Sequence, residues 1–249
     1  MEKDLIKPVT TPSEDTEHYF LEGPHSRFDE FKFVFKVMGE FIKGFRKLHF
    51  IGPCVTVFGS ARFKEGHPHY EMARKVGGML SSLGFTVMTG GGPGIMEAAN
   101  RGAREAGGRS VGCNILLAME QAPNRYLDRW ITLNHFFVRK VLLLKYSYAF
   151  VVMPGGFGTM DELFETITLI QTKKIQNFPI ILMGKEYWNT MINFINELDD
   201  RETISVEDLQ LLKITDDIEE AKEHIQNFAI NAFRLKQRVE TRPAKILGE

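Results

Sequence analysis

The chain predicts an α/β fold, an open parallel sheet with helices on both faces. Three observations carry this expectation. From residue 53 onward, short apolar runs alternate with segments of helical spacing. The runs are apolar at consecutive positions rather than at every second one, the pattern of strands buried on both sides. Two of them end in glycine-rich loops that open the next helix, as in Rossmann-like sheets, where ligands meet the carboxyl ends of the strands.

Residues 1–26 read as a flexible arm: prolines, threonines and scattered charges without periodicity. The next segment is different. Phe28, Phe31, Phe35, Met38, Ile42 and Phe45 recur at spacings of 3, 4, 3, 4 and 3, which makes one helical stripe. Phe33, Val34, Val37, Phe41 and Leu48 widen it. Three readings stay open for this helix over residues 27–50: docking on its own domain, sharing with another subunit, or lying on a membrane surface. Gly39 and Gly44 each cost about 1 kcal/mol in a helix interior, so packing must hold the segment together.

One domain is expected over residues 51–230. Its strands are expected at 54–58, 85–88, 110–115, 130–133, 149–153 and 179–183, and helices at 68–83, after Gly94, at 135–147 and at 159–173. Residues 187–228 read as further helices, and 231–249 as a loosely held basic tail.

The composition bounds the function. The chain has 249 residues and a formal net charge of −1, which leaves no global field to attract nucleic acid or an acidic membrane. No stretch of about 18 apolar residues or signal-peptide core appears. Cys54 and Cys113, each inside an apolar run and outside any CxxC pair, read as buried reduced thiols of a cytoplasmic protein. His67 and His69 read as a solvated loop, and no metal or organic cofactor is implied.

The two loops are Thr89-Gly-Gly-Gly-Pro-Gly94 and Pro154-Gly-Gly-Phe-Gly-Thr159. Glycines permit tight strand-to-helix turns. They also let a backbone approach an anion at a helix N-terminus. Two such loops facing one crevice can cradle a phosphate. Neither a dinucleotide fingerprint with its ribose-binding acid nor GxxxxGK[ST] is present, so a mononucleotide is the economical ligand. Thr159-Met-Asp-Glu162 fits a capping box, but its carboxylate is equally placed for acid–base chemistry. Glu165 lies one turn further on. Arg139-Lys140, inside an apolar helix, reads locally either as a solvated edge or as part of the pocket.

Residues 154–165, PGGFGTMDELFE, resemble the PGGxGTxxE signature of the phosphoribohydrolase ("lonely guy", LOG) family. Arg139-Lys140 stands in place of the family's RK pair, and residues 89–103 are similar to its GGGxxGLM stretch. The resemblance implies hydrolysis of a nucleoside 5′-monophosphate to free base and ribose 5-phosphate, with AMP or N6-modified AMP as substrate. It makes Arg139 and Glu162 the catalytic pair. Ser60, Gly91, Gly92, Gly94, Pro154, Gly155, Gly156, Phe157, Gly158 and Thr159 would form the phosphate and substrate site, with Lys140 and Glu165 as lesser contributors. Met119, Asn124 and Phe157 are candidates for the base pocket. The length resembles the larger family type, which implies a homo-oligomer, dimer or higher. The competing reading is a non-catalytic nucleotide or phosphorylated-cofactor carrier. The label lysine decarboxylase, which family members have carried, would require a pyridoxal phosphate lysine in a context absent here.

Overall fold

The structure is a computed structural model that describes residues 26–117, 122–175 and 179–228. The expected arm before residue 26, the tail from 231 and Met119 lie outside those residues.

The elements run α1 (Arg27–Leu48), β1 (Cys54–Phe58), α2 (Pro68–Ser82), β2 (Thr86–Thr89), α3 (Ile95–Glu105), β3 (Ser110–Ile115), β4 (Arg129–Leu133) and α4 (Phe136–Tyr146). There follow β5 (Ser147–Val152), α5 (Phe157–Gln171), β6 (Ile180–Leu182), α6 (Lys185–Asp200), α7 (Val206–Leu209), β7 (Leu212–Ile214) and α8 (Ile218–Ile225). The seven strands form one sheet in the order β4-β3-β2-β1-β5-β6-β7, and every neighbouring pair is parallel. The fold is therefore Rossmann-like, with helices on both faces.

Consecutive residues of a strand point to opposite faces, and here both faces are dry. Cys54, Phe58, Phe150, Val152, Ile180 and Leu182 pack on one side with Leu142, Leu163 and Trp188 from α4, α5 and α6. Val55, Val57, Ala149, Val151 and Ile181 pack on the other with Tyr70, Ala98 and Ala221 from α2, α3 and α8. This is why the strands carry no apolar–polar alternation. Both cysteines are buried and unpaired.

Two local expectations need correction, and the structure adds the orientation of the α1 stripe. Residues 187–228 are not helices alone, because β7 extends the sheet at its edge. His67 and His69 do not sit in a loop: His67 is the N-cap of α2 and accepts the His69 N–H through its ring nitrogen. The stripe on α1 faces away from the domain, since Phe28 is 66%, Phe31 59%, Phe35 50%, Met38 46% and Ile42 50% exposed. The docked face carries Glu40, Gly44 and Leu48, with Val37 and Phe41 from the wider stripe packed on the core. Among the described residues, no helix is long and apolar enough to cross a membrane.

Candidate functional site

The strand order reverses at β1, which has β2 on one side and β5 on the other. In an open parallel sheet such a reversal opens a crevice at the carboxyl ends of the strands. The loops after β1, β2 and β5 meet there, and Ser60 ties them together. Its N–H donates to Pro154 O at 3.0 Å, and its carbonyl accepts from Ile95 N–H at 3.0 Å. Gly94 makes that junction sterically possible. Its φ is +70°, and a Cβ there would lie 2.4 Å from Ser60 O, so both conformation and space demand glycine.

A buried polar network holds the first loop from below. Thr89 Oγ1 accepts from Gly91 N–H at 2.9 Å and donates to Asn100 Oδ1 at 2.7 Å. The Asn124 side-chain amide donates to Gly92 O at 3.1 Å and to Asn100 Oδ1 at 3.0 Å, while its backbone N–H reaches Gly91 O at 2.9 Å. Asn124 thus supports the loop.

The second loop enters α5 through Gly156, which is the N-cap without any side-chain cap bond. The expected capping box at Thr159 and Glu162 is therefore not formed. Thr159 is already the third helical residue, its N–H bonded to Gly156 O at 3.0 Å. The first amides of the helix have no intrahelical acceptor, and Gly156, Phe157 and Gly158 around them are exposed. The Phe157 side chain is 95% exposed and points to solvent. Behind the loop, the Tyr187 hydroxyl donates to Gly155 O.

Arg139 and Glu162 converge beside these loops. Arg139, on α4, donates from Nε to Cys113 O at 3.0 Å. Its guanidinium lies over Gly90, where a Cβ would come within 2.3 Å of Nη2. Glu162, on α5, is only 6% exposed. Burial pushes its carboxyl up to about 7, and Glu165 and Asp161 push the same way, while Arg139 and Lys140 pull it down. Burial likewise pushes the Cys113 thiol up to about 12, with Arg139 opposing and Glu162 adding to the shift. The three groups therefore share one neighbourhood.

Lys140 and Glu165 fall differently. Lys140 Nζ lies 2.8 Å from Asp161 Oδ1 and 3.0 Å from Glu165 Oε2. They form an ion-paired brace between α4 and α5 rather than two free pocket groups. Among the described residues, no group of three or more His, Cys, Asp or Glu side chains is placed to hold a metal.

Gly90→Ala should expose how closely Arg139 is fitted. The added methyl collides with the guanidinium end and with Met96 Sδ at 2.8 Å. Both are ends of flexible side chains, so we expect a melting temperature within a few degrees of wild type and turnover lowered about tenfold or more. Unchanged turnover would show that the Arg139 position is not critical.

Residues 96–225 match a family model described as possible lysine decarboxylase. The chain is 30% identical over 156 residues to cytokinin riboside 5′-monophosphate phosphoribohydrolase of Mycobacterium tuberculosis, covering 61% of this chain and 82% of that protein. The chain belongs to the LOG family. A further LOG-family relative, pyrimidine/purine nucleotide 5′-monophosphate nucleosidase of Escherichia coli, is 26% identical over 196 residues, 72% of this chain and 42% of that one. The molybdenum cofactor carrier protein of Chlamydomonas reinhardtii superposes with a TM-score of 0.52 at 23% identity, over 71% of this chain and 98% of that chain. At that identity the likeness is one of fold.

Within this LOG-family chain, the residues that the pattern did not single out are the supports: Thr89, Asn100, Tyr187 and the carbonyl of Cys113. Asn100 left a faint trace, a polar residue in the small-residue helix α3, where it is wholly buried. Tyr187 and Cys113 O left none, because both act through contacts between segments distant in the chain.

Proposed function

We propose that the chain hydrolyses the N-glycosidic bond of nucleoside 5′-monophosphates, AMP or an N6-modified AMP such as a cytokinin riboside monophosphate, to free base and ribose 5-phosphate. The observation that carries this reading is a buried carboxyl, Glu162, raised to about 7 by burial and lying within the electrostatic reach of Arg139 beside two glycine loops. A carrier needs the loops but not that pair.

The loops would hold the 5′-phosphate: Ser60, Gly91, Gly92 and Gly94 from one side, and Pro154 through Thr159 from the other. Helix N-terminal amides and the partial positive charge of α5 suit an anion there. Breaking the C1′–N bond sends its electron pair to the base and leaves oxocarbenium character on the ribose. Glu162, when ionised, stabilises that charge and takes a proton from the water that attacks C1′. The base acquires its proton from solvent. Arg139 fixes and helps to ionise Glu162, while Lys140 and Glu165 act at one remove by bracing the two helices. With its carboxyl near 7, Glu162 should make kcat/KM rise with pH through that value and level off above it.

The decarboxylase label of the family model fits poorly. A pyridoxal phosphate lysine must be able to present a neutral amine. Burial pulls Lys140 down, but Asp161 and Glu165 outweigh it and hold its amine above the ordinary value. Lys145 lies over the Phe45 ring on the α1 side.

The test is to incubate the protein with AMP, N6-isopentenyl-AMP, GMP and CMP and to separate free base by chromatography. Base release ranks the substrates. If none is released while a nucleotide still raises the melting temperature, the carrier reading replaces this one.

We also propose that the chain is a homo-oligomer built on α1. Its outward seam keeps the 3-4-3-4-3 spacing of a helix–helix contact. Its first turn is acidic (Asp29, Glu30) and its last turn basic (Arg46, Lys47), so an antiparallel copy meets opposite charge at both ends. Light scattering after size exclusion should give a dimer or larger assembly. Phe35→Glu combined with Met38→Glu should reduce its size with secondary structure retained. A wild-type monomer at tens of micromolar would end this reading.

A further inference from the structure

We infer that Glu40, on α1 and outside the two loops, is a positioning residue for Arg139, an inference that rests on the hydrolase reading above. The helix that carries Arg139 starts at Phe136, and its N-cap, His135, provides no side-chain cap bond. The cap comes from elsewhere. Glu40 accepts the Asn134 N–H at 3.0 Å and the Asn134 side-chain amide through Oε1, and the His135 N–H at 3.3 Å through Oε2. His135 Nδ1 lies 3.1 Å from the same Oε2. A carboxylate at a helix N-terminus satisfies orphan amides and meets the positive end of the dipole.

This carboxylate is charged despite being only 8% exposed. Burial pushes its carboxyl up, but hydrogen bonds from His135 and Asn134 outweigh burial and hold it below the ordinary value. A buried charge is costly unless fully bonded, and mere docking of α1 does not require one. Other contacts dock the helix. Gly44 allows so close an approach that a Cβ would sit 2.4 Å from a Leu142 methyl, Leu48 is 1% exposed, and Lys43 Nζ donates to Thr132 O at 3.1 Å.

Glu40 holds Asn134 and His135, the two residues that lead into α4. Arg139 follows one turn later, with its N–H bonded to His135 O at 3.3 Å. Its side chain is anchored through Nε on Cys113 O. With the cap removed, the first turn of α4 loosens, and the guanidinium no longer sits where it draws the Glu162 carboxyl down.

The experiment pairs steady-state kinetics with a 13C NMR titration of the Glu162 carboxyl, in wild type and in Glu40→Gln and Glu40→Ala. Glutamine keeps the shape but turns an amide toward the His135 N–H, so it stays informative if the alanine variant fails to fold. For the folded variants we expect kcat at pH 7 to fall about tenfold with KM within about twofold, and the Glu162 titration to move upward. A folded Glu40→Gln with wild-type kcat and an unmoved Glu162 titration would overturn the inference. If wild type releases base from no nucleotide but the titration still moves, the hydrolase reading fails and Glu40 retains its role in placing Arg139.

Discussion

Glu162→Gln is expected to lower base release about 10²–10⁴-fold, the range for loss of a general base, with nucleotide affinity nearly unchanged. Glutamine has almost the same shape, so the site stays filled. Because α5 is capped at Gly156 and not through Glu162, the substitution removes no cap. Glu162 is 6% exposed, and its two carboxylate neighbours on α5, Glu165 and Asp161, both hold Lys140. Free base from a saturating nucleotide, with affinity followed by the rise in melting temperature, checks both halves. A loss of affinity as large as the loss of rate would assign Glu162 to binding instead.

The same variant is expected to be more stable than wild type above neutral pH and to match it near pH 4. The ordinary carboxyl value is 4.5, and in the folded chain burial lifts Glu162 to about 7. A raised carboxyl binds its proton more tightly folded than unfolded. Its favourable contribution is complete below the unfolded value and is lost as pH rises through about 7. The rise from 4.5 to about 7 corresponds to roughly 3 kcal/mol. Urea unfolding at pH 4 and pH 8.5 should therefore show a gap between variant and wild type that opens by up to about that amount. An equal gap at both values would mean that Glu162 is not strained by burial. The chain keeps a stability cost at the position where it keeps its base, as expected of a functional acid.

Much of the sheet was legible because a doubly buried strand writes itself as a continuous apolar run. The runs at 54–58, 110–115 and 149–153 each fall on an observed strand. β7 escaped because Leu212-Lys213-Ile214 is three residues long, half-buried and at the edge, which leaves no run to read. The α5 start was misplaced by two residues because T-x-x-E imitates a capping box, whereas the real N-cap is a glycine with nothing to signal it.

The α1 stripe left its partner open for a related reason. Apolar periodicity marks a face that wants cover, but not which partner covers it. The face that docks on the domain, Val37, Glu40, Phe41, Gly44 and Leu48, keeps helical spacing too, but a buried acid and a glycine interrupt its apolar pattern, so the fully apolar stripe stands out more. Arg139 and Glu162 were found through motif resemblance. Their shared neighbourhood with Cys113 arises from β3, α4 and α5, which only the sheet order brings together.

The most direct test of the account is a side-by-side assay of wild type and Glu162→Gln with AMP and N6-isopentenyl-AMP, measuring free base and ribose 5-phosphate together with the nucleotide-induced rise in melting temperature. The account predicts equimolar base and ribose 5-phosphate from wild type, almost none from the variant, and the same thermal shift in both. Equal thermal shifts with no product from either protein would contradict it and leave a nucleotide-binding carrier in its place.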